Sequence, residues 1–61
     1  MIINIEKVKD FIRSYGNMTE LAEYSGVDRT MLYKILSGER QPGLKTLEGL
    51  MRAGLKWETI M

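Results

Sequence analysis

Four residues in the middle of the chain limit what it can fold into: Ala22, Gly26, Leu32 and Ile35, at relative positions 0, 4, 10 and 13. A small residue lets two helices cross closely. A glycine four residues later lets the backbone turn with positive φ, which other residues resist. Two large apolar residues then plug a second helix onto the first. Helix-starting signals stand before both segments. Asn17 followed by Glu20 makes a capping-box pattern, and Asp28 is a strong N-cap whose charge favours the positive end of a helix. The stretch NMTELAEYSGVDRTMLYKILSG, residues 17–38, therefore predicts two short helices, about 18–24 and 29–36, joined by a turn anchored by Val27.

The flanking segments read as the smallest core that can hold this pair. Ile5, Val8, Phe11, Ile12 and Tyr15 recur at helical spacing and predict a first helix over about 5–15. Asn4 caps it, Glu6 sits in its first turn and Gly16 ends it. Residues 1–3 fit either a short extended lead-in or a frayed end. A helix over about 44–53 places Leu44, Leu47, Leu50 and Met51 on its core face. Gly49 inside it costs up to ~1 kcal/mol against alanine, which implies a close packing contact at that position. Gly54 stops the helix. The tail LKWETIM offers one more turn with Leu55, Trp57, Ile60 and Met61, which suit either the base of the bundle or a self-association patch. No strand pattern competes. The expected fold is all-α, a compact bundle of four to five helices forming one domain over residues 1–61.

Composition excludes more than it selects. Sixty-one residues leave no room for a second domain, so neither an effector-sensing nor an oligomerisation domain is expected. The chain has no Cys and no His. That removes disulfides, thiol chemistry and nucleophile–His catalysis, and leaves metal binding to carboxylates that are nowhere dense enough. No acid–base pair or phosphate loop stands out, so neither an enzyme nor a cofactor is expected. Apolar runs are far too short to span a membrane, and MIINIEKVKD interleaves apolar residues with charge, unlike a signal peptide. A cytoplasmic protein is expected.

Net charge is only +1, but its distribution is uneven. Residues 29–45 hold Arg29, Lys34, Arg40 and Lys45 against the single acid Glu39, whereas residues 17–28 hold Glu20, Glu23 and Asp28 and no base. Clustered positive charge on a near-neutral chain suits a selective nucleic-acid binder more than a generic polyanion binder. Two helices joined by a glycine turn form a helix-turn-helix, a device that sets its second helix in the DNA major groove. The wording Leu21-Ala22, Gly26-Val27, Leu32, Ile35, Ser37-Gly38, Arg40, Pro42 and Leu44 with Thr46-Leu47 resembles the phage repressor and Cro helix-turn-helix family over nearly the whole chain. Met18–Ala22 and Leu32–Lys34 are also similar to small antitoxin repressors of toxin–antitoxin operons.

The resemblance implies a lambda-repressor-like domain that binds a double-stranded DNA operator, usually as a dimer. Matched by position, its base-reading residues are Asp28, Arg29, Thr30 and Lys34, with Tyr33 beside them. Its phosphate clamp matches Gly38, Arg40 and Gln41, with Lys45 at the next helix start. Met18 stands where the family often has a phosphate-binding Gln, so Thr19 or the nearby helix amides are expected to take that contact. The junction around Ala53-Gly54-Leu55 is one residue shorter than the family pattern. Outside this motif, the same arginines and lysines would read as solvated surface charge, and Tyr33 as half-buried packing. The rival functional reading is a protein-interaction module that keeps the fold and contacts a toxin or a host regulator.

Overall fold

The apolar stripes become five helices in the computed structural model, which describes residues 3–61: α1 (Ile5–Tyr15), α2 (Met18–Ser25), α3 (Arg29–Ser37), α4 (Leu44–Arg52) and α5 (Trp57–Ile60). All regular structure among the described residues is helical. Met1 and Ile2, part of the expected lead-in, lie outside the described residues. Ile3 is half-buried against the core.

The first three helix starts are each made by a side chain, whereas α4 begins after Gly43 with no side-chain cap. Asn4 Oδ1 accepts the Lys7 amide at 3.2 Å, Asn17 Oδ1 accepts the Glu20 amide at 3.1 Å, and Asp28 Oδ1 accepts the Thr30 amide at 2.8 Å. At Asn17 this is one half of the capping box. Helix ends run one residue from expectation: α2 and α3 extend to Ser25 and Ser37, while α4 stops at Arg52. Gly26 and Gly38 adopt left-handed φ values of 75° and 83°. After α3, the Gly38 amide donates to the Ile35 carbonyl and the Glu39 amide to the Lys34 carbonyl, which satisfies the last turn. The Asn4 amide donates to the Ile60 carbonyl at 2.6 Å and ties the start of α1 to α5.

The core takes one or more residues from every helix. Val8, Ile12, Leu21, Leu32, Ile35, Leu47, Leu50, Leu55 and Ile60 are buried. Each such aliphatic side chain withdrawn from water contributes roughly 1.5–3 kcal/mol. Met18, Ala22, Val27, Leu36, Met51 and Trp57 pack around this centre, half-buried. One expectation changes here, and one alternative left open by the sequence narrows. Leu44, assigned to the core face of α4, is 61% exposed. It is the first residue of α4, and helical side chains lean toward the N-terminus, so its side chain leaves the end of the bundle. At the tail, Ile60 is wholly buried and Met61 is 71% exposed, so these residues do not form one patch.

α2 packs most extensively on α4, and α1 lies across α2, α3 and α5. The tightest approach is at Gly49. A Cβ placed there would overlap the Ser25 carbonyl oxygen and stand 3.1 Å from Val27 Cγ2. Only glycine lets α4 come this near the turn. Arg52, one helical turn later, donates from Nη2 to the same Ser25 carbonyl at 2.9 Å. Ser25 is itself buried, and its hydroxyl accepts the Val27 amide at 3.2 Å. The turn between α2 and α3 is thus held by its own side chain and by α4.

Gly49→Ala sets a gain in helix propensity of up to ~1 kcal/mol against a larger overpacking cost, for a net loss of about 1–2 kcal/mol in urea unfolding. An unchanged midpoint would show that α4 does not meet the turn there. Arg52→Met is expected to lower stability by about 1 kcal/mol through the lost hydrogen bond. Hydrogen exchange should locate that loss by faster exchange of the Gly26 amide, which donates to the Ala22 carbonyl.

Candidate nucleic-acid interface

α3 divides its residues between two environments. Leu32 and Ile35 are fully buried and fix the helix to the core. Arg29, Thr30 and Tyr33 are exposed on the other side, and Lys34 is half-buried at its margin. Helical spacing pairs Arg29 with Tyr33 and Thr30 with Lys34, each four residues apart. Tyr33, left between packing and contact by its sequence, is 54% exposed.

Asp28, Thr30, Lys34 and Arg40 line one shallow groove of about 200 Å³, with Met31 as its apolar part. Three of the four come from α3 or its cap. Arg40 joins them because the chain turns back after Gly38, where the Arg40 amide donates to the Lys34 carbonyl at 3.2 Å. One carboxylate faces two cations here. The carboxylate is already engaged, since Asp28 Oδ1 caps α3 and leaves Oδ2.

Arg29 and Thr19 form a second cluster. Arg29 Nη1 donates to Thr19 Oγ1 at 3.0 Å, joining the first turn of α3 to the first turn of α2. Met18 beside them is half-buried against the core, which explains an apolar residue at that position. Lys45 is exposed and lines a different groove, with Asp28, Met31, Thr46 and the turn residues 25–27. Gln41 is exposed in the loop before α4. Gly38 is exposed, but its amide is committed to Ile35, so it offers close backbone approach and no donor.

Two basic residues near this surface went unnoticed in the sequence. Lys9 of α1 brings its ammonium to 3.9 Å from where a Gly38 Cβ would stand, while pairing with Glu6 at 3.6 Å. That places a cation beside the negative end of α3. Arg52 acts on the turn, as described above. Neither of these placements has a local signal, because Lys9 nears Gly38 and Arg52 reaches Ser25 only through the packing of distant segments.

A helix-turn-helix family model matches residues 15–53, which is more than half of the chain and includes all of α2, α3 and α4. No curated protein and no solved structure matches it. Among the described residues, no helix is long and apolar enough to cross a membrane. The turn held between α2 and α3, the outward polar face of α3 and this match lead to one conclusion: the chain belongs to the helix-turn-helix family of phage-repressor and Cro type, a family of DNA-binding regulators.

Proposed function

We propose that residues 1–61 act as one operator-binding domain and that the protein is a repressor of the Cro or prophage type. α3 enters the major groove with its N-terminus toward the bases. The observation that carries this reading is the meeting of Thr30, Lys34 and Arg40 in one groove on the outward side of α3. A base-edge donor set and a phosphate cation are then presented together, on a chain whose net charge is only +1.

Each residue has a role suited to its chemistry. Arg29 donates to guanine O6 and N7, and Lys34 reaches a guanine or a phosphate. Thr30 offers a hydroxyl to a base edge or its methyl to thymine. The free Oδ2 of Asp28 accepts from a cytosine amino group. Tyr33 packs on sugar. Arg40, Gln41 and Lys45 bind phosphates, Gly38 lets the backbone approach, and Thr19 bonds a phosphate at the other edge. These phosphate contacts set register and carry no sequence information. One α3 reads only a few base pairs, so two copies on half-sites about one helical turn apart double the contact. Occupancy of such a site excludes polymerase, and no catalytic step is involved.

Selection of bound sequences from a random duplex pool tests the proposal, and paired half-sites are the expected product. Arg29→Ala and Lys34→Ala should each weaken the selected site by about 1–3 kcal/mol and relax one base position, with unchanged helicity by circular dichroism. Wild-type affinity in both variants would overturn the assignment of the reading face. Arg40→Ala should weaken all duplexes alike and reduce the slope of log affinity against log salt by about 1. Absence of DNA binding by the wild type even at low salt would favour a protein-interaction role with a toxin or host regulator.

A further inference from the structure

We propose that the groove between the α2–α3 turn and α4 binds a free α-amino acid with an apolar side chain, and that this ligand lowers the affinity of the domain for DNA. The binding stands by itself, and the effect on DNA rests on the operator-binding reading above. The groove has a volume of about 510 Å³, within the roughly 300–1,000 Å³ usual for small-molecule sites. Val27 and Met31, both half-buried, give it an apolar side, and Asp28, Lys45, Glu48 and Arg52 bring charges of both signs to it.

These charges are spent unequally. Arg52 Nη2 is bonded to the Ser25 carbonyl, and Asp28 Oδ1 caps α3. Lys45 and Glu48 are exposed and form no salt bridge among the described residues. They stand three residues apart on α4, so their side chains are neighbours, with Cβ atoms about 5–6 Å apart. A direct pair between two such exposed charges stabilises little, so a ligand displaces it at low cost. An α-amino acid answers this arrangement because it carries a carboxylate and an ammonium on one carbon. The carboxylate takes Lys45, the ammonium takes Glu48 and the free Oδ2 of Asp28, and the apolar side chain covers Val27 and Met31. A ligand of one sign would meet a like charge in the groove, and a wholly apolar one would cover Lys45 and Glu48 without pairing them.

The groove shares a wall with the reading surface. Asp28 and Met31 also line the smaller groove that holds Thr30, Lys34 and Arg40. A bound amino acid draws on Asp28 Oδ2 and on Lys45, which the operator complex uses for a base and a phosphate. Ligand and duplex therefore compete for the same two side chains, and each lowers the affinity for the other by the same factor. The DNA-binding domain thus carries its own effector site.

The test follows backbone amide shifts by NMR while the protein is titrated with L-leucine, with isocaproate, which lacks the ammonium, and with isoamylamine, which lacks the carboxylate. L-leucine should move the amides of residues 25–28 and 45–52 in a saturable way. Isocaproate and isoamylamine should each bind about tenfold more weakly, the loss of one charge-assisted contact. Glu48→Gln should weaken L-leucine by a similar factor, whereas Glu58→Gln, an equal charge change on α5, should not. Both residues are exposed, so neither substitution disturbs the core. Saturating L-leucine should raise the dissociation constant of the wild type for its selected duplex by about tenfold. At the same concentration its effect on Glu48→Gln should be smaller.

Absence of saturable shifts in these two segments up to the solubility limit of L-leucine would overturn the proposal. Equal affinity for all three compounds would overturn it too, since it marks an adventitious additive only. Saturable binding with no change in duplex affinity would overturn the competition with DNA. If the wild type binds no duplex even at low salt, the DNA-binding reading fails and the effect on DNA with it, while the amide shifts still decide the site.

Discussion

α4 lies against the backbone of the turn because Gly49 has no side chain, and the orientation of α3 depends on that contact. The Ser25 carbonyl fills the space a Cβ at Gly49 would need, and Arg52 bonds the same oxygen. Val27 closes the contact from the other side. A turn is normally a mobile part of a small protein, since few apolar contacts hold it. Here it is pinned at three points to a helix whose Leu47 and Leu50 are buried in the core. The angle between α2 and α3 is therefore a property of the whole bundle. It governs where Arg29, Thr30 and Lys34 point.

The outward surface uses its few charges economically. Three helix N-termini are capped by short polar side chains, and among the described residues Arg29, Lys34, Arg40 and Lys45 form no salt bridge. Asp28 places a carboxylate within the basic groove, but that group is bonded to the Thr30 amide and serves the start of α3. Met18 shows the opposite trade. Its side chain packs on the core and supplies no donor at the edge of α2. Thr19 and Arg29, bonded to each other, stand at that edge instead.

Much of this was legible before any tertiary contact was known. The three capping side chains, the glycine turn and the inward residues Leu21, Leu32 and Ile35 all carry local signals, because capping and helical periodicity act within a few residues. Gly49 was legible as a close contact but not its partner. Leu44 misled, since periodicity marks a face of the helix and does not say that the helix end overhangs the core. Lys9, Arg52 and the Thr19–Arg29 bond were invisible. Each depends on two segments that meet only when the bundle closes.

By itself the sequence determined where α1 to α4 start and, to within one residue, where they stop, which stripe of each is apolar, and that residues 17–38 form a two-helix motif. These follow from short-range physics: backbone amides near a helix start need a nearby acceptor, and a left-handed turn needs glycine. Tertiary structure decided which polar groups become neighbours. It brought Arg40 to Lys34, Arg29 to Thr19 and Arg52 to the turn. Those neighbours come from the relative placement of helices, which is set by contacts such as Gly49 against Ser25, and no stretch of a few residues contains both sides of such a contact.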